Sequence, residues 1–169
     1  MRFLAVLLLL SSSACGYRMA NRAPSLPATV RTIAVPTFHN ETFRFKIEQT
    51  LTAAVIREML SRTSYRVQSS EEGSDAVLSG VVTSIYSSPI VFDPNSGRTT
   101  EVLITVGIRV TVQDSASRQT LYEANDLVFR EPYQISADPA IYFGEDQPAL
   151  ERLSRQVASS LVSTLIGNF

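Results

Sequence analysis

Few residues in this 169-residue chain could do chemistry, and none has the company that chemistry needs. The sequence holds one Cys and one His. A lone Cys allows neither an intrachain disulfide nor a CxxC metal site, and a lone His excludes an ordinary zinc centre built from this chain alone. His39 has no acid in a recognised relation to it and reads as a solvated loop residue. Glu71 and Glu72 fall in a polar stretch beside Gly73 and read as a solvated loop, not as an acid–base pair. There is no GxSxG elbow, no HExxH helix and no phosphate-cradling glycine loop. The formal net charge of −1 gives no general reason to bind nucleic acid. The expectation is a protein that is not an enzyme, needs no metal or cofactor, and works by binding or assembly.

Cys15 takes its meaning from what precedes it. Arg2 supplies a positive end, Phe3 to Leu10 is an apolar run too short to span a bilayer, and Ser11, Ser12, Ser13 and Ala14 are small. Residues 1–14 therefore read as a secretory signal with a small-residue cleavage site. A Cys at once after it resembles a bacterial lipobox, with Ser12 where Leu or Val is usual. That resemblance implies that Cys15 becomes the first mature residue, its thiol carrying diacylglycerol and its amine acylated; one acyl chain anchors marginally, whereas several anchor stably. Gly16 in the next position, where Asp would signal retention at the inner membrane, implies the outer membrane. Residues 15–28 then form a lipidated start and a tether. Pro24 and Pro27 favour extended backbone, and Arg18 and Arg22 lie close enough to the anchor to meet anionic headgroups. From Gly16 to Ala28 the tether has about 13 residues and reaches about 45 Å fully extended.

Residues 29–169 are expected to form one domain, a length that buries a core without staples. Its organising element runs from Val102 to Val112. Val102, Ile104, Val106, Ile108, Val110 and Val112 alternate with a mostly polar or small set, which is the pattern of a strand with one buried face. Six such side chains contribute roughly 1.5–3 kcal/mol each when fully desolvated. Two helices have stripes that could cover this face. The first is expected over Thr42 to Arg62, capped by Thr42, with Ile47, Leu51, Ala54, Val55 and Met59 on one side. The second is capped by Asp146, carries Leu150, Leu153, Val157, Leu161 and Leu165, and stops at Gly167.

The other strands are shorter or less regular. Val30 to Phe38 reads as a strand with Pro36 near its end, followed by a turn over His39-Asn40-Glu41-Thr42. Asn40-Glu41-Thr42 also fits a glycosylation sequon, a match without use beside a bacterial lipobox. Tyr65 to Gln68 is a short strand. Ala76 to Tyr86 is a strand apolar on both faces, Val77, Val81 and Ile85 on one and Leu78, Val82 and Tyr86 on the other, which suggests a central position. Thr120 to Arg130 returns with a change of parity near Asn125-Asp126 that predicts a bulge. Glu131 to Pro148 reads as irregular, with a turn starting at Asp138. Ser87 to Arg98 reads as a hairpin tip rich in Pro, Asp, Asn and Gly. Ile90, Val91 and Phe92 are exposed there, and three adjacent apolar residues at a tip call for a partner, a lipid or a fold-back.

The order of these pieces is similar to one lipoprotein family. Cys15-Gly16-Tyr17-Arg18, the strand from Val30 to Phe38, the turn His39-Asn40-Glu41-Thr42, the long helix, Asp75-Ala76-Val77-Leu78-Ser79-Gly80, the hairpin strand Val110-Thr111-Val112-Gln113-Asp114 and the last helix together resemble the outer-membrane lipopolysaccharide-assembly lipoproteins, the LptE family. The resemblance implies a two-layer α+β sandwich, with two helices on one face of a mixed, largely antiparallel sheet of four to five strands. It implies a lipid-anchored protein on the periplasmic side of the outer membrane, seated in the β-barrel of the lipopolysaccharide translocon and binding lipopolysaccharide in part through basic residues. Arg98, beside the apolar tip, and Arg109, on the polar face of the central strand, are the candidates for phosphate contact, since a guanidinium holds phosphate in a bidentate way. Ile90, Val91 and Phe92 are the candidates for contact with the barrel or with lipid.

A neighbouring group shares the strand–helix opening and the anchor: lipoproteins that activate peptidoglycan synthases, and curli-secretion lipoproteins. Their strand ends in a Phe-x-Asn-x-Thr turn, which Phe38, Asn40 and Thr42 satisfy. A synthase activator must cross the periplasm on a long tether. The short one here favours work beside the membrane.

Overall fold

Val102, Ile104, Val106, Ile108, Val110 and Val112 are all buried, none more than 7% exposed. They lie on one face of a long strand in a sheet of six, and two helices cover that face. The computed structural model describes residues 26–27, 29–135 and 146–167. The leader, Cys15, nearly all of the tether and the turn expected at Asp138 lie outside the described residues.

In chain order the elements are β1 (Thr32–Ala34), β2 (His39–Asn40), α1 (Ile47–Arg62), β3 (Arg66–Gln68), β4 (Ala76–Phe92), β5 (Thr99–Asp114), β6 (Thr120–Gln134) and α2 (Asp146–Ile166). The sheet runs β3-β1-β4-β5-β6, with β2 also against β4. β1 pairs in parallel with both β3 and β4, β2 pairs in parallel with β4, and β4, β5 and β6 form an antiparallel meander. The α+β class is as expected, with six strands instead of four or five. The extra strand arises because Val30 to Phe38 does not form one continuous ladder. β1 pairs with Ala76 and Val77, the chain leaves the ladder, and β2 rejoins at Val81 and Val82. Pro36, which has no N–H to give, lies in the gap.

Two bulges decide which side chains face the helices. Val82 pairs with Ile108 and Ser84 with Gly107, so Thr83 is an extra residue in β4. Beyond it the parity of β4 reverses. Ile85 joins Leu78 and Val82 on the covered face, and Tyr86 joins Val77 and Val81 on the other, correcting the face assignment of those two residues. The bulge predicted near Asn125-Asp126 is present: Ile108 pairs with Leu127 but Val110 with Ala124. It keeps Tyr122 and Ala124, then Leu127 and Phe129, on the same side of β6.

The helices run side by side in one direction. Arg44, just before α1, reaches Asp146 at the start of α2 with a contact of 2.6 Å, and Arg62 at the end of α1 donates to the Ser163 hydroxyl (2.9 Å) near the end of α2. The expected stripes of both helices are buried in a single core with the covered face of the sheet. Thr52, buried in α1, accepts the Phe38 N–H (2.9 Å) and donates to the Glu48 carbonyl (2.6 Å), which fixes the helix to the start of β2. The last helix ends at Gly167, whose φ of 65° only glycine adopts freely.

Candidate partner-binding surface

Ile90, Val91 and Phe92 are exposed, as expected, but they are strand and not loop. Val91 pairs with Glu101 and Phe92 with Thr99, and Ile90 is the extra residue of a bulge. A bulge breaks the alternation of side chains, and all three apolar residues remain in solvent. Likewise β6 continues through Glu131 to Gln134, a stretch read from sequence as irregular, because β5 extends far enough to pair with it. The hairpin is therefore longer than the pattern of residues suggested, and it carries the apolar group to its end.

The turn that closes this hairpin is built by Asp93. Its carboxylate accepts the N–H groups of Asn95 (3.0 Å) and Ser96 (2.7 Å) and the Ser96 hydroxyl (2.8 Å). Gly97 takes a left-handed φ of 66° before Arg98 returns the chain to β5. The turn at the other end of β5 repeats the design without glycine. The Asp114 carboxylate accepts the N–H groups of Ala116 (3.1 Å) and Ser117 (2.7 Å) and the Ser117 hydroxyl (2.9 Å), and Arg118 takes the left-handed position at φ 59°. Hydrogen bonds to the ionised form hold both carboxyls below the usual carboxylate range, those from Ser96 and Ser117 most strongly.

The two arginine candidates do not form one site. Arg98 is exposed and makes no ion pair among the described residues. Arg109 lies eleven positions further on, within β5, about 36 Å away at strand spacing. Its guanidinium stands 3.6 Å from the Glu41 carboxylate, and both side chains are more than two-fifths exposed. Such a surface pair contributes little. Arg109 Nε is buried and has no hydrogen-bond partner among the described residues. Around it the face of the sheet away from the helices is mixed. The rows Ser84–Gly107–Val128 and Tyr86–Thr105–Arg130 run across it, with Tyr86 and Val128 exposed among the hydroxyls. A Cβ at Gly107 would come within 2.5 Å of Ser84 Oγ, so a side chain there would require the Ser84 hydroxyl to turn aside.

The largest exposed aromatic group went unread in the sequence. Phe43 is fully exposed and Phe45 is 81% exposed. Both fall in the first turn of the helix that the sequence predicts from Thr42, but α1 begins at Ile47. Asn40 is the reason. Its side-chain oxygen accepts the Thr42 N–H (2.9 Å) and hydroxyl (2.7 Å), and its amide donates to the Arg44 carbonyl (2.8 Å) and to Glu48 (2.9 Å). Thr42 Oγ1 in turn accepts the Arg44 N–H (3.2 Å). This is an Asx turn extended over four residues, and Lys46 ends it at a φ of 66°, which no helix accommodates. Thr42 thus serves the turn and not a helix cap. Arg44 turns across to Asp146 at the start of α2 in a partly exposed ion pair, and Lys46 holds its ammonium 5.0 Å from the centre of the Phe45 ring. The available signal was Asn-x-Thr followed by alternating aromatic and basic residues, a pattern with no helical stripe.

A family model described as lipopolysaccharide-assembly, LptE, matches residues 30–165. No curated protein matches the chain. Among solved structures the chain is similar to an uncharacterized lipoprotein B from Nitrosomonas europaea, at 11% identity over 87% of this chain and 88% of that one, with a TM-score of 0.56. It is similar to a putative lipoprotein from Caulobacter crescentus at 9% identity over 77% and 88%, TM-score 0.53, and to the rare lipoprotein B from Shewanella oneidensis at 14% identity over 80% and 93%, TM-score 0.52. At these identities the structures show a shared fold.

Proposed function

The chain belongs to the LptE family of lipopolysaccharide-assembly lipoproteins, which are non-catalytic, and on that premise we propose that it is held by lipid on Cys15 to the periplasmic side of the outer membrane, where it supports the β-barrel of the lipopolysaccharide translocon. The observation that carries this reading is the hairpin of β4 and β5. It runs ten residues beyond Val82, the last residue of β4 flanked by β2, and ends in three exposed apolar side chains. A group of that kind at the end of a stiff hairpin is suited to insertion into another protein or among acyl chains. Lipopolysaccharide is the ligand in this reading, and Arg98 and Arg109 are two separate phosphate contacts, 36 Å or so apart on the strand spacing.

The test is a pull-down of tagged, full-length protein from detergent-solubilised outer membrane. A barrel of translocon size in the eluate supports the proposal. A penicillin-binding synthase in its place supports the synthase-activator alternative. Replacing Ile90, Val91 and Phe92 together by Ser should leave the isolated protein folded, since all three are exposed, and should weaken recovery of the barrel. Unchanged recovery removes the hairpin end from the reading. For the ligand, Arg98→Ala and Arg109→Ala should each weaken binding of lipopolysaccharide, most clearly at low salt.

A further inference from the structure

Phe43 and Phe45 are displayed by a braced loop. Every residue from Asn40 to Arg44 except Glu41 and Phe43 takes part in its side-chain hydrogen bonds, and Glu41 is tied by its N–H to the Val82 carbonyl (3.0 Å). Arg44 is paired with Asp146, and the rings on either side of it stand in solvent. Holding two aromatic rings in water on a rigid frame is unfavourable unless something covers them. Lys46, with its ammonium beside the Phe45 ring, makes no ion pair among the described residues. Aromatic rings next to a long, unpaired cation suit the boundary of a bilayer, where the rings enter between acyl chains and the cation meets lipid phosphate.

The length of the tether, together with the Lys46 ammonium beside the rings, points to a bilayer as the occupant. The described body starts at Leu26, eleven residues after Cys15, a span of about 36–40 Å at full extension. β1 joins β4 at Ala76 and the aromatic loop leaves β4 at Val82, about 20 Å along the strand. The loop is thus within reach of the leaflet that would hold the anchor. We propose that Phe43 and Phe45 enter the interface of that leaflet as a second foot, which fixes the orientation of the body on the membrane. The proposal rests on the lipidation of Cys15 put forward above.

The chain contains no Trp, so one introduced indole reports on one place. Lipidated full-length protein carrying Phe43→Trp or Phe45→Trp is placed in vesicles of phosphatidylethanolamine and phosphatidylglycerol, some of them brominated near the headgroup. Tyr86→Trp, on the open face of the sheet, is the control. The expected result is blue-shifted emission at 43 and 45 that brominated lipid quenches, with neither effect at 86. Emission typical of water at 43 and 45, in protein that floats with the vesicles, overturns the foot while leaving the anchor. Blue-shifted emission that brominated lipid does not quench also overturns it, because a protein surface then covers the rings. Protein that fails to float with the vesicles lacks the anchor, and both readings fall.

Discussion

The ring of Phe38 lies against Gly80, so closely that a Cβ at Gly80 would stand 2.4 Å from Phe38 Cε2 and 2.6 Å from Cζ. Phe38 cannot retreat easily. It is 3% exposed and its N–H is bonded to the buried Thr52 hydroxyl. Gly80→Ala should therefore cost about 1–3 kcal/mol, the usual penalty for overpacking. Urea unfolding measures it. Because the clash is with one ring, the double variant with Phe38→Leu should cost less than the sum of the two single changes.

Asn40 is expected to matter well beyond its size. Asn40→Ala removes the four side-chain bonds that Asn40 makes in the loop before α1, leaving that of Thr42 with the Arg44 N–H, and by analogy with lost caps it should destabilise the protein by about 1–2 kcal/mol. Hydrogen exchange gives the sharper test, because the Thr42 N–H loses its direct partner and should exchange faster than amides in β5.

Arg118 stands in a backbone conformation that costs an L-residue roughly 1–2 kcal/mol. Its ion pair with Glu71 is long, at 3.9 Å, and exposed, so little is lost with it. Gly97 fills the equivalent position in the other turn. Arg118→Gly should raise stability by about 0.5–1 kcal/mol after the added freedom of the unfolded chain is allowed for, visible as a higher Tm.

Three carboxyls make the fold sensitive to acid. Asp75 accepts the N–H groups of Arg31 (2.9 Å) and Thr32 (2.8 Å), and these bonds, that of Arg31 foremost, hold it below its ordinary value. Asp93 and Asp114 are lowered in the same sense by their turns. A group whose folded pKa is depressed contributes stability that is present above the unfolded pKa, about 3.9 for Asp, and is lost as pH falls through the folded value. Thermal melts should show stability falling below about pH 4. Asp75→Asn should flatten part of that fall, and a fall of unchanged size would exclude Asp75 as a contributor.

Periodicity made the core legible. The row from Val102 to Val112 and the two helical stripes are found buried as read, since burial of an apolar face follows directly from spacing. The bulge at Asn125-Asp126 was visible because the apolar set changes parity there. Thr83 left no such mark: in Val81-Val82-Thr83-Ser84-Ile85-Tyr86 both parities are apolar, so either assignment of faces looks sound. The start of α1 was misplaced because Thr42 has the chemistry of a cap, and only the turn around Asn40 shows that it is used otherwise. The candidate surface was half legible. An apolar triplet among turn residues is conspicuous, whereas Phe43 and Phe45 resemble ordinary helix content until the helix is seen to begin later.

The edge of β4 is covered unevenly. β1 and β2 flank it only as far as Val82, and from Ser84 to Phe92 it has no charged side chain and, among the described residues, no neighbour on that side. Pro89 and the bulge at Ile90 interrupt this margin without closing it. An open margin of this kind is a template on which a second copy can pair strand to strand. Purified material is therefore best handled dilute.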